Sequence, residues 1–374
     1  MSVEDVKTSR APGWCRAGRL ATVVSVTALA RGKCGSGRRS GGGISAIAGA
    51  GCAVALWPAF MKVFVFSPAS LLPVARCSRR CFLVALLGVF GAGRPAVAEF
   101  EPGRSYFGDK NYIEYLPGDL PLVISAPHGG REKPEEIAAR ENGVVQMDTN
   151  TQELARAVGD EILARTGHRA HLIICRLHRQ KLDCNREVIE AAAGSVVAEK
   201  AWNEYHAFID QALAAAIAQA GKAFLIDLHG QAHKDQRLEL GYLHSPQTLG
   251  EPEEKLNAPE VASAGSLRRI AEKSKLPYVE LLRGPRSLGA LLEAQGFPAT
   301  PSPQRPVPLL PYFQGGYTIR RHVAPEVPIA GLQIECNMVG VRDTAENRAR
   351  FATALVAVLR EYLAEHFDLR LPER

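Results

Sequence analysis

Acidic side chains are almost missing from the first 98 residues, which hold 13 Lys and Arg against Glu4 and Asp5 alone, a net charge of +11. The remaining residues, 99–374, carry 32 basic and 37 acidic side chains, so the overall +6 belongs to the leader and the rest is mildly acidic. A nucleic-acid partner needs Lys and Arg clustered on the folded part, and that charge balance argues against one. Cysteine is equally uneven. Five of the eight lie in the leader, and Cys175, Cys184 and Cys336 are an odd trio without C-x-x-C spacing, which specifies neither a disulfide framework nor a zinc knuckle. The apolar run at 84–90 is far shorter than the ~20 residues a permanent membrane span requires. Internal repeats, a linker and a second domain are also missing. What is present after the leader is an ordinary globular composition in a stretch long enough to bury one large core.

Residues 1–60 are dominated by Gly, Ala, Ser and Arg with no sustained period, and are expected to be disordered or an over-extended start. Met61 opens a better beginning. Lys62 and Ser78-Arg79-Arg80 precede Cys81-Phe82-Leu83 and the apolar run, and Ala96-Val97-Ala98 supplies small residues before a cleavage point. These are the parts of an export signal over 61–98, and the paired arginines resemble the twin-arginine type. The expectation is a bacterial protein handed to the export machinery, with a mature chain 99–374 that is periplasmic or secreted.

Between Leu120 and Glu335 short apolar runs alternate with helical-period segments, the pattern of a layered α/β domain. Strands are expected at 121–125, 170–175, 223–228, 278–282 and 331–336. Helices are expected at 149–165 and 198–218, and the last is expected to start at Asp343 with Glu346 three residues on. The proline-rich stretch 284–316 reads as a long functional loop, too irregular for helix or central strand.

Catalytic residues of open α/β sheets gather beyond the carboxyl ends of strands. After Val123-Ile124-Ser125 comes His128-Gly129, and after Leu225-Ile226-Asp227 comes His229-Gly230. Two imidazoles at strand ends, with Asp148 at the start of a helix, supply the two nitrogens and one carboxylate of a common catalytic zinc arrangement. Each has a plainer reading: a strand-end histidine is often a hydrogen-bonded structural residue, and Asp148 is placed to cap its helix. Asn185-Arg186 offers an amide and a guanidinium fork suited to a carboxylate, or else a structural ion pair with Asp183 or Glu187. Glu335, in the apolar strand 331–336, is suited by burial to shuttle protons, or else pairs with a neighbouring arginine.

Together Ser125-Ala-Pro-His128-Gly-Gly, Asp148-Thr-Asn-Thr-Gln-Glu-Leu, Leu182-Asp-Cys-Asn-Arg186, Asp227-Leu-His-Gly230 and Gly315-Gly-Tyr-Thr-Ile-Arg320 resemble the N-formylglutamate amidohydrolase family, in family order over about 110–365. That resemblance implies a zinc carboxypeptidase-like fold, a three-layer α/β/α arrangement around a mixed, mostly parallel sheet. It implies a metal-dependent amide hydrolase with one Zn²⁺ on His128, Asp148 and His229. It further implies Glu335 as general base and Asn185 and Arg186 as the carboxylate grip. Arg179 is the expected oxyanion partner, and Tyr317 with Arg320 or Arg321 the expected hold on a second acidic group. The implied substrate is a small acidic N-acyl amino acid, N-formyl-L-glutamate giving formate and glutamate. Two departures stand out. Zinc carboxypeptidases carry His-x-x-Glu, whereas Arg131 stands three after His128 and Glu132 one further, leaving Asp148 and Glu132 as rivals for the middle ligand. The insert with Arg283–Gly289 and Pro301-Ser-Pro is also unusual. An exported zinc carboxypeptidase, an N-acyl amino acid or peptide amidase, and a non-catalytic binder of acidic ligands are the competing readings.

Overall fold

The computed structural model describes residues 100–374, so the expectations for 1–60 and 61–98 lie outside the described residues. Eight strands form one sheet: β1 (Tyr106–Phe107), β2 (Ile113–Leu116), β3 (Leu122–Ala126), β4 (His171–Cys175), β5 (Ala223–Gly230), β6 (Leu238–Gly241), β7 (Ala299–Thr300) and β8 (Ile329–Cys336). Their order is β1-β2-β4-β3-β5-β8-β6-β7. The centre is parallel, β4 with β3, β3 with β5 and β5 with β8, while β2 joins β4 and β6 joins β8 antiparallel. The sheet is therefore mixed and mostly parallel, as expected.

Strand alternation sorts the core into two layers. Leu122, Ile124, Leu172, Ile174, Phe224 and Ile226 point to one face, where they meet α1 (Thr151–Thr166) and α3 (Ala345–His366). Val123, Ile173 and Leu225 point to the other and pack on Trp202, Tyr205, Ile209 and Leu213 of α2 (Val196–Ala220). The result is a three-layer α/β/α domain. Among the described residues no helix is long and apolar enough to cross a membrane.

Three local expectations are corrected. The segment 278–282 is a helix, Tyr278–Arg283, not a strand. Pro277 precedes it, Glu280 sits in its first turn, and buried Tyr278 and Leu281, like Val279 and Leu282, are three apart, a helical rather than an alternating spacing. The long loop contains a helix, Leu288–Ala294, whose Ser287 side chain accepts from Ala290 N, and the edge strand β7. The last helix is capped by Thr344, which accepts from Asn347 N at 3.1 Å, rather than by Asp343. Asp343 accepts instead from Gly340 N and Thr344 N, just ahead of the helix.

Candidate metal centre

The carboxyl ends of β3, β4, β5 and β8 meet at one edge of the sheet, and there one face changes from apolar to polar. On β5 the residues facing α2 run Leu225, Asp227, His229; on β3 they run Val123, Ser125; on β8 Gln333 and Glu335 continue the column. Register places His229 directly beside Glu335 and Asp227 beside both Gln333 and Ser125. All of these side chains are buried. Burial of so many polar groups requires internal partners, and the partners are there.

His128 Nδ1 lies 3.3 Å and His229 Nδ1 3.2 Å from the same oxygen, Asp148 Oδ2. One ligand atom from each of His128, Asp148 and His229 falls within 4.8 Å of the other two. Donors about 2.0–2.1 Å from a tetrahedral zinc ion stand roughly 3.3 Å apart, so the two nitrogen–oxygen separations suit such an ion. The far side of each ring is anchored. His128 Nε2 meets Asp183 Oδ1 at 2.6 Å, and His229 Nε2 meets Asp227 Oδ2 at 2.8 Å. A carboxylate behind each imidazole fixes its tautomer and raises its basicity, the usual outer support of metal-binding histidines. Asp227 is itself held by Ser125 Oγ at 2.7 Å, and Asp183 by Arg179 Nε at 2.9 Å and Asn185 N at 3.0 Å. The residues present fit a divalent ion.

Charge accumulates accordingly. Burial opposes ionisation of Asp148 and Asp183, yet His128 beside both, with His229 near the first and Arg179 near the second, holds each carboxyl well below its ordinary range. Burial disfavours a charged His229, but Asp227 and Asp148 outweigh it and lift its pKa well above the usual histidine value. Glu335, with Oε1 3.9 Å from His229 Nδ1, is pushed up to about 8, chiefly by burial and further by Asp148 and Glu239, against the pull of His229. Its Oε1 accepts from Gln333 Nε2 at 2.7 Å, so no arginine ties it down.

The other expected site residues divide. Glu132 pairs with Arg176 at 2.7 Å and takes no part in the cluster; Asp148 does, its carboxylate turned inward while Asn150 rather than Asp148 occupies the N-cap of α1. Arg179 is buried against Asp183 and, at 3.5 Å, Asp148, and lines the pocket. Asn185 lines it too, but its amide is committed: Oδ1 accepts from Thr318 N, and Nδ2 lies 3.3 Å from His229 Nε2. A Cβ at Gly316 would overlap that amide, which is why glycine passes there. Arg186 pairs with Glu190 at 3.2 Å, not with Asp183 or Glu187. Arg320 is exposed at the mouth. Tyr317 does not line the pocket. As the first residue of the short helix Tyr317–His322 it packs on Trp202 and His206, and Arg321 lies over the Trp202 ring.

The cavity, about 330 Å³, is bounded on its far side by Tyr312–Gly316 from the end of the insert. Arg237 donates to the carbonyls of Leu309 and Pro311, and buried Glu239 accepts from Phe313 N at 2.9 Å, so that wall is strapped to β6. Sequence reasoning missed Glu239, Gln333 and the supporting roles of Asp183 and Asp227. For two of them a signal existed: Asp227-x-His229 and Gln333-x-Glu335 put polar side chains two apart on otherwise apolar strands, hence on one face.

No family model matches this chain, and no curated protein matches it. Among solved structures the chain is similar to the N-formylglutamate amidohydrolase from Ralstonia eutropha JMP134, with 18% identity over 68% of this chain and 97% of that one and a TM-score of 0.42. It is similar to a gene product from Agrobacterium tumefaciens, with 15% identity over 68% and 94% and a TM-score of 0.39. It is also similar to the catalytic domain of an N-acetylmuramoyl-L-alanine amidase from Bacillus (Paenibacillus) polymyxa var. colistinus, with 13% identity over 65% and 98% and a TM-score of 0.27.

Proposed function

We propose that this protein is a metal-dependent hydrolase of linear amides, acting on N-formyl- or other N-acyl-amino acids, with N-formyl-L-glutamate as the leading substrate. The observation that carries the reading is the convergence of His128 Nδ1 and His229 Nδ1 on Asp148 Oδ2 beside a buried Glu335 that accepts from Gln333 and pairs with no arginine among the described residues. His128, Asp148 and His229 would hold one Zn²⁺. Such an ion supplies Lewis acidity, polarising the amide carbonyl and making water easier to deprotonate. Glu335 takes the proton from the attacking water and passes it to the departing nitrogen, a double role helped by the burial that raises its proton affinity. Arg179, fixed by Asp183 and Asp148, faces the oxygen on which negative charge develops. Arg186 and Arg320, both lining the pocket, hold the substrate's carboxylates, with Asn185 fixing the loop that carries Arg186.

We read 61–98 as an export signal, so that the enzyme works in the periplasm or outside the cell on small acidic substrates.

The test offers N-formylglutamate, N-acetylglutamate and short peptides to the protein before and after chelation, with Glu335→Gln alongside. Hydrolysis that needs the metal and falls by about 10²-fold or more in Glu335→Gln supports the scheme. Full activity in metal-free protein would refute it. Turnover of peptides alone would move the substrate to the peptidase class, and no turnover of any substrate with tight binding would leave a binding protein.

A further inference from the structure

Arg342 is 2% exposed and heads the largest fully buried side chains of the described residues, among which it forms no ion pair. A guanidinium buried without a carboxylate is costly unless its donors are well used. Here each of the three nitrogens donates to a main-chain carbonyl. Nε donates to Cys336 O at 3.0 Å, Nη2 to Gln231 O at 2.8 Å, and Nη1 to Thr149 O. Those carbonyls belong to three separate segments, and each follows a residue of the metal centre. Thr149 comes directly after Asp148, Cys336 directly after Glu335, and Gln231 two residues after His229.

The contact is reciprocal and tight. Asn150 Nδ2 donates back to Arg342 O at 2.9 Å, and a Cβ at Gly230 would overlap the guanidinium carbon, so the strand end carrying His229 can approach this closely only as glycine. A planar fork of donors fixes the three carbonyls relative to one another, which a lysine ammonium on a flexible stem cannot do. The parallel pairing of β5 and β8 sets His229 beside Glu335, while Asp148 arrives on a loop, its carboxylate accepting from Gly230 N at 3.1 Å and its N–H donating to His128 O at 3.0 Å. The Arg342 fork adds a second clasp, on the main chain one residue beyond Asp148.

We infer that Arg342 is a positioning residue that sets the mutual placement of Asp148, His229 and Glu335 by clamping the chain just beyond each. It touches neither substrate nor ion, and the inference rests on the metal reading above. The experiment is a Zn²⁺ competition titration against a chromophoric chelator for the wild type, Arg342→Lys, Arg342→Ala and, as a control, Leu355→Ala in the core of α3, each paired with a melting curve of the chelated protein. Arg342→Lys keeps the charge and loses the fork, and should weaken Zn²⁺ binding by about tenfold or more. Added guanidinium ion should restore part of the affinity of Arg342→Ala and leave that of Leu355→Ala unchanged. The control should lose stability with its affinity intact. If Arg342→Ala does not fold, Arg342→Lys decides. Affinity within twofold of wild type in Arg342→Lys, with only the melting temperature lowered, overturns the inference and leaves the metal reading standing. Wild type that takes up no divalent ion overturns both.

Discussion

Asp227 lies behind the candidate metal centre, is fully buried, and should nonetheless control the affinity for an ion bound there. Its carboxylate accepts from His229 Nε2 at 2.8 Å and from Ser125 Oγ at 2.7 Å. That acceptor pins the His229 tautomer so that Nδ1 presents its lone pair toward Asp148 and the ion. The negative charge also makes that lone pair a stronger donor. Asp227→Asn preserves shape and one acceptor oxygen while removing the charge. Loss of an outer carboxylate of this kind weakens a metal site by about 10–100-fold, or roughly 1.4–2.7 kcal/mol. At saturating wild-type metal, the stabilisation conferred by the ion should fall by the same amount. For a domain of this size the gap between melting temperatures with and without Zn²⁺ should narrow by roughly 3–10 °C. Competition titration gives the affinity directly, and paired melting curves give the linked stability. Asp227→Asn protein with wild-type affinity and an unchanged gap would show that His229 does not bind the ion through the nitrogen opposite Asp227, and the proposed ligand geometry would fall.

Two further outcomes follow from groups away from the ion. Burial holds His171 neutral with a pKa lowered to about 4, its Nδ1 facing Tyr115 Oη at 2.9 Å and accepting from Gly118 N. The unfolded chain therefore binds a proton near pH 6.5 that the folded one refuses until about pH 4, so this stability is present above pH 6.5 and is lost as pH falls through that window. His171→Asn keeps an acceptor in place and should remove roughly 3 kcal/mol of the stability difference between pH 7 and pH 4, read from urea midpoints; an unchanged difference would refute the buried neutral imidazole. The export reading of 61–98 predicts that protein recovered from a bacterial periplasm begins near Glu99, which N-terminal sequencing checks, and a product retained in the cytoplasm with Met61 or Met1 intact would sink it.

The parts of this molecule that could be read from the chain are those whose signal is local. Strand ends followed by His-Gly, the helical periods of α1, α2 and α3, and the apolar run around Glu335 all show in a window of a few residues. The misread segment 278–282 is short enough that a buried helix and a buried strand look alike, and the preceding proline was the clue that should have decided it. The outer strands β1, β2, β6 and β7 are two to four residues long, below the length at which alternation is visible. What no window contains is register. His229 becomes Glu335's neighbour only because β5 and β8 pair in parallel across more than a hundred residues, and Glu239 joins them from an antiparallel strand on the far side.

That non-local pairing also explains why the chemistry sits where it does. On the face toward α2, Val123 and Leu225 belong to the apolar core, while Ser125, Asp227 and His229, one or two pleats further along, are polar and still buried. A sheet tolerates such a column only if each member satisfies the next, and here each does: Ser125 donates to Asp227, Asp227 anchors His229, His229 faces Asp148, and Gln333 donates to Glu335. The column ends where two imidazole nitrogens converge on one buried carboxylate oxygen of Asp148 beside Glu335, a donor set well matched to a divalent ion. The same residues that would be a defect in an inert sheet are thus consistent with one another once the end of the column is taken as a metal centre, which is the physical reason to place function at this edge.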